Sequence, residues 1–298
     1  MDFSGIFPPL TTPFAADGSV SLGDLKFNIG RYNATRLKGY VVLGSTGESV
    51  LLSPQEKDAI LAAVKESAAP GKLLIAGTGA ESTAATIAQT RRAAELGYHA
   101  ALVKTPYYFK PQYKPDVLIE HFRRVADASP IPVLLYSVPQ FTGVALEAPE
   151  VAALAALPNV AGIKESSGNV QRVGEIIAAC PRSFQTIVGS ASTLYPSQCL
   201  GAVGGILALA DVLPEKCVEL FELFRNGRHE QARELQAALV PISKIVVADD
   251  GPAGVKFGMD VCGYRGGVPR PPLLPVSIEK RKRIESVLGG IGSAAARA

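Results

Sequence analysis

At 298 residues the chain is long for one ordinary domain and normal for an α/β barrel, which takes about 250. Hydrophobic residues make up 47% and charged residues 19%, so a large core is affordable and disorder is excluded. A net charge of +3 is too mild for a nucleic-acid binder, and no apolar run approaches the roughly 18 residues of a membrane span.

The N-terminus Met1-Asp2-Phe3-Ser4-Gly5 has neither a basic region nor an apolar leader, so the expected location is cytoplasmic. Ile6 to Phe14 reads as a first strand, followed by helical spacing at Leu22, Leu25, Ile29 and Tyr32. Tyr40 to Leu43 is a buried strand running into Gly44-Ser45-Thr46-Gly47-Glu48. Ser53-Pro54-Gln55-Glu56 then has the order of a capping box: serine at the N-cap, proline first in the helix, glutamate third. Leu73 to Gly77 and Ala100 to Val103 are the next strands, each followed by a helix, near Ser82 to Leu96 and Asp116 to Ala128.

Pro132 to Tyr136 is the fifth strand and Val160-Ala161-Gly162-Ile163-Lys164-Glu165 the sixth, with Val170 to Ala179 helical after it. Phe184 to Gly189 and Gly204 to Ala208 complete eight strands alternating with helical stretches. That count predicts a (β/α)8 TIM barrel ahead of a doubly wound sheet. Beyond about Pro214 only helical spacing remains. The expected division is a catalytic barrel over 1–222 and a C-terminal helical appendage over 223–298. Lys280-Arg281-Lys282-Arg283 reads as the solvated face of the last helix, and the tail from Gly289 is weakly patterned.

In a parallel barrel the chemistry sits at the C-terminal ends of the strands. That rule selects Ser45 and Thr46 after the second strand, Tyr107 and Tyr108 after the fourth, Tyr136 on the fifth and Lys164 on the sixth. It also selects Gly189 and Ser190 after the seventh, and Gly205 and Ile206 on the eighth. A lysine ending an apolar strand is either a snorkelling side chain or an amine poised to attack a carbonyl, since desolvation favours the neutral form. Lys104 is the rival, expected to point outward to the helices. Gly44-Ser45-Thr46-Gly47 suits a carboxylate, with freed backbone N–H groups and two hydroxyls. Gly77-Thr78-Gly79 lacks the third glycine of a dinucleotide fingerprint, and helix-entry geometry is its expected role. His99, His121 and His229 lie far apart, and Cys180, Cys199, Cys217 and Cys262 show no ligand spacing. No metal or other cofactor is expected, and the cysteines read as buried thiols.

Four motifs stand in the order and spacing of a known family: Gly44-Ser45-Thr46-Gly47-Glu48, Thr105-Pro106-Tyr107-Tyr108, Leu135-Tyr136-Ser137-Val138-Pro139 with Thr142-Gly143, and Gly162-Ile163-Lys164-Glu165. From about Gly5 to Pro275 the chain resembles the dihydrodipicolinate synthase / N-acetylneuraminate lyase family, class I Schiff-base pyruvate aldolases. The resemblance implies that Lys164 forms an imine with pyruvate and that Tyr136 shuttles protons with Ser45 and Tyr108. In the family this last tyrosine is lent by a neighbouring subunit. It also implies that Ser45 and Thr46 hold the pyruvate carboxylate, that the Ile206 carbonyl contacts substrate, and that the enzyme is a homotetramer built from tight dimers.

Two departures bear on the substrate. Phe141 stands where synthases carry an arginine for the second carboxylate, and Ser45 replaces their usual threonine. Leu135-Tyr136-Ser137-Val138-Pro139 looks most like the 4-hydroxy-2-oxoglutarate aldolase branch, which also lacks that arginine. The expected reaction is cleavage of 4-hydroxy-2-oxoglutarate to pyruvate and glyoxylate, with Ser166 among the groups left to hold the distal carboxylate. The alternatives are condensation of pyruvate with aspartate semialdehyde, cleavage of a 2-keto-3-deoxy sugar acid, and a non-catalytic 2-oxo acid sensor.

Overall fold

The computed structural model describes the backbone of residues 1–294. Eight strands, β1 (Gly5–Phe7), β2 (Gly39–Val42), β3 (Leu73–Gly77), β4 (Ala100–Lys104), β5 (Val133–Ser137), β6 (Val160–Glu165), β7 (Gln185–Val188) and β8 (Gly204–Ile206), pair in parallel in one continuous order. A parallel bridge between Pro9 and Val41 joins the two ends of the sheet, so the strands form the barrel that the alternation predicts. The first strand is much shorter than the expected Ile6–Phe14. Pro8 and Pro9 have no N–H to give to a ladder, so the ladder with β8 stops at Phe7.

The interior is filled by Phe3, Phe7, Val41, Ile75, Leu102, Leu134, Ile187 and Ile206, with Tyr136 above them. Small residues are required where strands and turns crowd. A Cβ on Gly77 would lie 2.3 Å from the Leu43 carbonyl, and one on Gly79 2.6 Å from the Lys104 nitrogen. Close approach of neighbouring strands thus accounts for this Gly-x-Gly, rather than entry into a helix.

Outside the strands, larger apolar clusters pack the helices onto the barrel, with Phe122, Val125 and Val151 on one side and Ile29, Tyr32 and Leu220 on the other. The capping box at Ser53 forms as predicted: Ser53 Oγ accepts from the Glu56 N–H at 3.2 Å, and Glu56 accepts from the Ser53 N–H at 2.8 Å. Helices Pro214–Arg225, His229–Ser243, Gly251–Val261 and Ile278–Ala294 follow β8. The expected division after residue 222 falls inside the first of these, which packs against β1 as the eighth barrel helix. We propose Arg225 as the end of the barrel.

The last helix takes in most of the tail read as weakly patterned, and residues 295–298 lie outside the described residues. Of the four cysteines only Cys217 is buried. Cys180 and Cys262 are half-buried and Cys199 is exposed, which corrects the expectation of four buried thiols. Among the described residues no helix is long and apolar enough to cross a membrane.

Candidate active site

β5 and β6 set the chemistry. Their pairing slips by one residue at Ala161, so that Leu134 faces Gly162, Leu135 faces Ile163 and Tyr136 faces Lys164. A Cβ on Gly162 would lie 2.2 Å from the Gln185 carbonyl, so only glycine allows this packing against β7. With the register set, Lys164 Nζ lies 4.3 Å from the centre of the Tyr136 ring, and both side chains are buried, 4% and 5% exposed.

Ser45, on the turn after β2, completes the row: its Oγ is 3.3 Å from Tyr136 Oη, and either can donate. That is long for an O–H···O bond, as catalytic contacts often are before substrate tightens them.

These groups line one cavity of about 470 Å³ at the C-terminal mouth of the barrel, together with Thr46, Phe141, Ser166, Gly189, Ser190 and Ile206. Phe141 stands at the rim, 60% exposed. Ser166 follows β6 directly, two residues beyond Lys164, and lines the same cavity. Its hydroxyl is buried and has no hydrogen-bond partner. A Cβ on Gly189 would lie 1.8 Å from Ser166 Oγ, so the glycine after β7 makes room for that hydroxyl. Among the described residues, Lys164 is the only charged side chain in the lining.

Tyr108 is not brought to this cavity. It is 74% exposed, its ring edge-on to Phe109 at 5.0 Å, and its N–H donates to Glu81 at 2.8 Å.

Lys104 departs from the expectation that it points outward. It stands opposite Tyr136 across β4 and β5, lines a small cavity with Ser45 and Tyr136, and is 4.0 Å from Glu81. Burial pushes its ammonium below the ordinary lysine range, against the opposing Glu81 charge. Its two-residue spacing from Leu102, which fills the interior, puts it on the inner face.

Sequence reasoning missed the far wall of the cavity. Ser243, Val247, Gly251, Pro252 and Val255 come from the region beyond the barrel, and Gln140 comes from the turn after β5. Gln140 donates to the Ser166 carbonyl at 2.9 Å, tying the ends of β5 and β6 together. No residue type marks that wall, although the Gly251-Pro252 pair that opens its helix is a visible break in the apolar pattern. Among the described residues no cluster of three or more His, Cys, Asp or Glu is built to hold a metal ion.

A parallel eight-stranded barrel with a buried lysine beside a tyrosine at its mouth has the architecture of a class I aldolase. The comparisons agree: a family model described as the dihydrodipicolinate synthetase family matches residues 2–290, and the chain belongs to that family. It is therefore a lyase, a class I pyruvate aldolase, and the non-catalytic sensor alternative falls away.

The 4-hydroxy-tetrahydrodipicolinate synthase of Methanothrix thermoacetophila is 37% identical over 288 residues, covering 96% of each chain. A crystal structure of the chloride-inhibited dihydrodipicolinate synthase of Acinetobacter baumannii, complexed with pyruvate, superposes with a TM-score of 0.93. It is 30% identical, covering 98% of this chain and 99% of that one. A monomeric dihydrodipicolinate synthase variant superposes with a TM-score of 0.92 at 27% identity, covering 97% of each chain. These names favour the synthase alternative over the 4-hydroxy-2-oxoglutarate reading.

Proposed function

We propose that the enzyme forms a Schiff base between Lys164 and a 2-oxo acid and cleaves 4-hydroxy-2-oxoglutarate to pyruvate and glyoxylate. Lys164 Nζ adds to the C2 carbonyl and water leaves, giving an iminium that serves as an electron sink. The Tyr136 oxygen takes the proton from the C4 hydroxyl as the C3–C4 bond breaks and glyoxylate departs. Tyr136 and Ser45 return that proton to C3 of the resulting enamine, and hydrolysis of the imine by water gives pyruvate and free Lys164. Ser45 passes the proton between Tyr136 and the mouth of the cavity, and Ser45 and Thr46 receive the C1 carboxylate. The Ile206 carbonyl faces the bound acid.

The observation that supports this substrate is the unpartnered Ser166 hydroxyl beside Lys164. Glyoxylate carries its carboxylate directly on the reacting carbon, within reach of groups next to Lys164. Aspartate semialdehyde carries its own two carbons further out, beyond a methylene and the amino-bearing carbon, where the rim offers the phenyl ring of Phe141 and no cation. A carboxylate there gains no charge-assisted bond from the protein.

The second reading is condensation of pyruvate with aspartate semialdehyde, which the names of the relatives favour. Specificity constants for both reactions in one buffer decide between them. Condensation at about 10⁴ M⁻¹s⁻¹ or better, the lower end of typical enzyme efficiency, with negligible cleavage would make the enzyme a synthase. Preference for a neutral polyhydroxylated aldehyde would make it a sugar-acid aldolase.

We further propose that Tyr108, exposed on its own subunit, completes the site of a neighbouring subunit in a homotetramer. A monomer of full activity in solution would exclude that role.

A further inference from the structure

We propose that Lys256 and Arg270, both beyond the barrel, are positioning residues for pyruvate, holding through Glu48 the turn that presents Ser45 and Thr46. The inference rests on the reading of Ser45 and Thr46 as the carboxylate's partners.

Glu48 is part of that turn. Its N–H donates to the Ser45 carbonyl at 3.0 Å, and its own carbonyl accepts from the Leu51 N–H at 2.9 Å. Its φ is 55°, in the left-handed region that a residue with a side chain keeps only where its surroundings impose it. The surroundings are unusual. Glu48 and Lys256 have no exposed side-chain surface, and Lys256 Nζ lies 2.5 Å from Glu48 Oε1. Glu48 Oε2 accepts the backbone N–H of Arg270 at 2.7 Å.

Lys256 is fixed in turn by the Val268 carbonyl at 2.8 Å and by the Phe14 ring, whose centre is 4.3 Å away. The Arg270 guanidinium grips Glu56 at two points, 2.9 and 2.5 Å, and donates to the Leu51 carbonyl at 2.9 Å. Gly266 lets the 263–270 segment lie against the helix, since a Cβ there would meet the Lys256 carbonyl at 2.0 Å.

Burying an ion pair stabilises a fold little, because desolvation offsets most of the attraction. The service it renders here is geometric. Helix Gly251–Val261 walls the cavity with Gly251, Pro252 and Val255 and, through the next residue, Lys256, holds the turn opposite. Two sides of the pyruvate site are thereby kept at a set separation.

The test is the pyruvate concentration giving half-maximal borohydride trapping, read beside the limiting trapping rate and the melting temperature. Lys256→Met should raise that concentration about tenfold or more and change the limiting rate by less than about threefold, the signature of lost binding rather than lost chemistry. Should Lys256→Met not fold, the double variant with Glu48→Gln, which buries no unpaired charge, is read in its place.

Thr46→Val is the control. If Thr46→Val weakens pyruvate and folded Lys256→Met does not, this inference alone is overturned, whatever the melting temperature. If Thr46→Val leaves pyruvate binding unchanged, the reading of the turn itself fails and this inference with it.

Discussion

Lys164 and Tyr136 face one another across the parallel pair β5–β6, with the Lys164 amine 4.3 Å from the centre of the Tyr136 ring. A slip of one residue in that pairing would turn one of the two side chains to the opposite face of the sheet. The irregularity at Ala161 is thus what brings the candidate nucleophile and its proton relay together. Lys104 stands in the same row on the other side of Tyr136, so the barrel mouth holds two candidate amines around one phenol.

Trapping separates the two amines. Borohydride added with pyruvate is expected to inactivate the enzyme and leave a stable adduct on the peptide containing Lys164. Lys164→Arg should abolish the adduct, because a guanidinium stays protonated and does not attack. An adduct on the peptide containing Lys104 would move the nucleophile there.

Replacing Tyr136 with phenylalanine keeps the ring in the core and removes the relay oxygen. Turnover is expected to fall by about 10² to 10⁴, the usual worth of a positioned acid–base group. Stability should change by only about 1 kcal/mol, one hydrogen bond. A folded variant with full turnover would make Tyr136 a core residue only.

Phe141 lies at the rim and is mostly exposed, so substitution there should leave stability within about 0.5 kcal/mol. Phe141→Arg is expected to raise kcat/KM for aspartate semialdehyde about tenfold or more, as a charge-assisted bond to its carboxylate contributes about 1.5–3 kcal/mol. No gain would show that the second carboxylate is held elsewhere and that Phe141 does not set the choice of substrate.

Asp211 gives a pH-dependent prediction. Its side chain is fully buried, and neither carboxyl oxygen has a hydrogen-bond partner of normal geometry. Burial pushes its carboxyl well above the usual range, against the opposing pull of the Thr11 backbone and the Lys164 charge. Above the unfolded value near 3.8, the folded state retains a proton that the unfolded chain has released, so this group lowers stability as pH rises. Asp211→Asn mimics the neutral acid and should stabilise the fold at pH 8 by about 1–3 kcal/mol. The gain should vanish near pH 4, as melting temperatures of the two proteins across that range will show. Destabilisation at pH 8 would mean that a charged Asp211 is supported by its surroundings.

The barrel was legible because the strands are short, mostly apolar and largely buried, and glycine or proline separates most of them from the neighbouring helices. Local pattern alone therefore yields the count of eight, the capping box at Ser53 and the helix Val170–Ala179. That Lys164, Tyr136, Ser45, Thr46 and Ile206 share one end of the barrel was legible too. A polar residue or a glycine-flanked turn at the end of an apolar strand is conspicuous, and every parallel strand ends on the same side of the barrel.

Proximity between distant segments leaves no such mark. Nothing near Lys104 tells which face of β4 it occupies, because that follows from register with Leu134 and Tyr136 on the next strand. Nothing in the sequence around Glu48, Lys256 and Arg270 marks them as partners, and only the return of the chain across the barrel mouth buries them against one another. Tertiary structure alone turned the region after Arg225 from an appendage into a wall of the site. Such contacts join residues some two hundred positions apart, whereas sequence periodicity reports only on neighbours within a few turns of the chain.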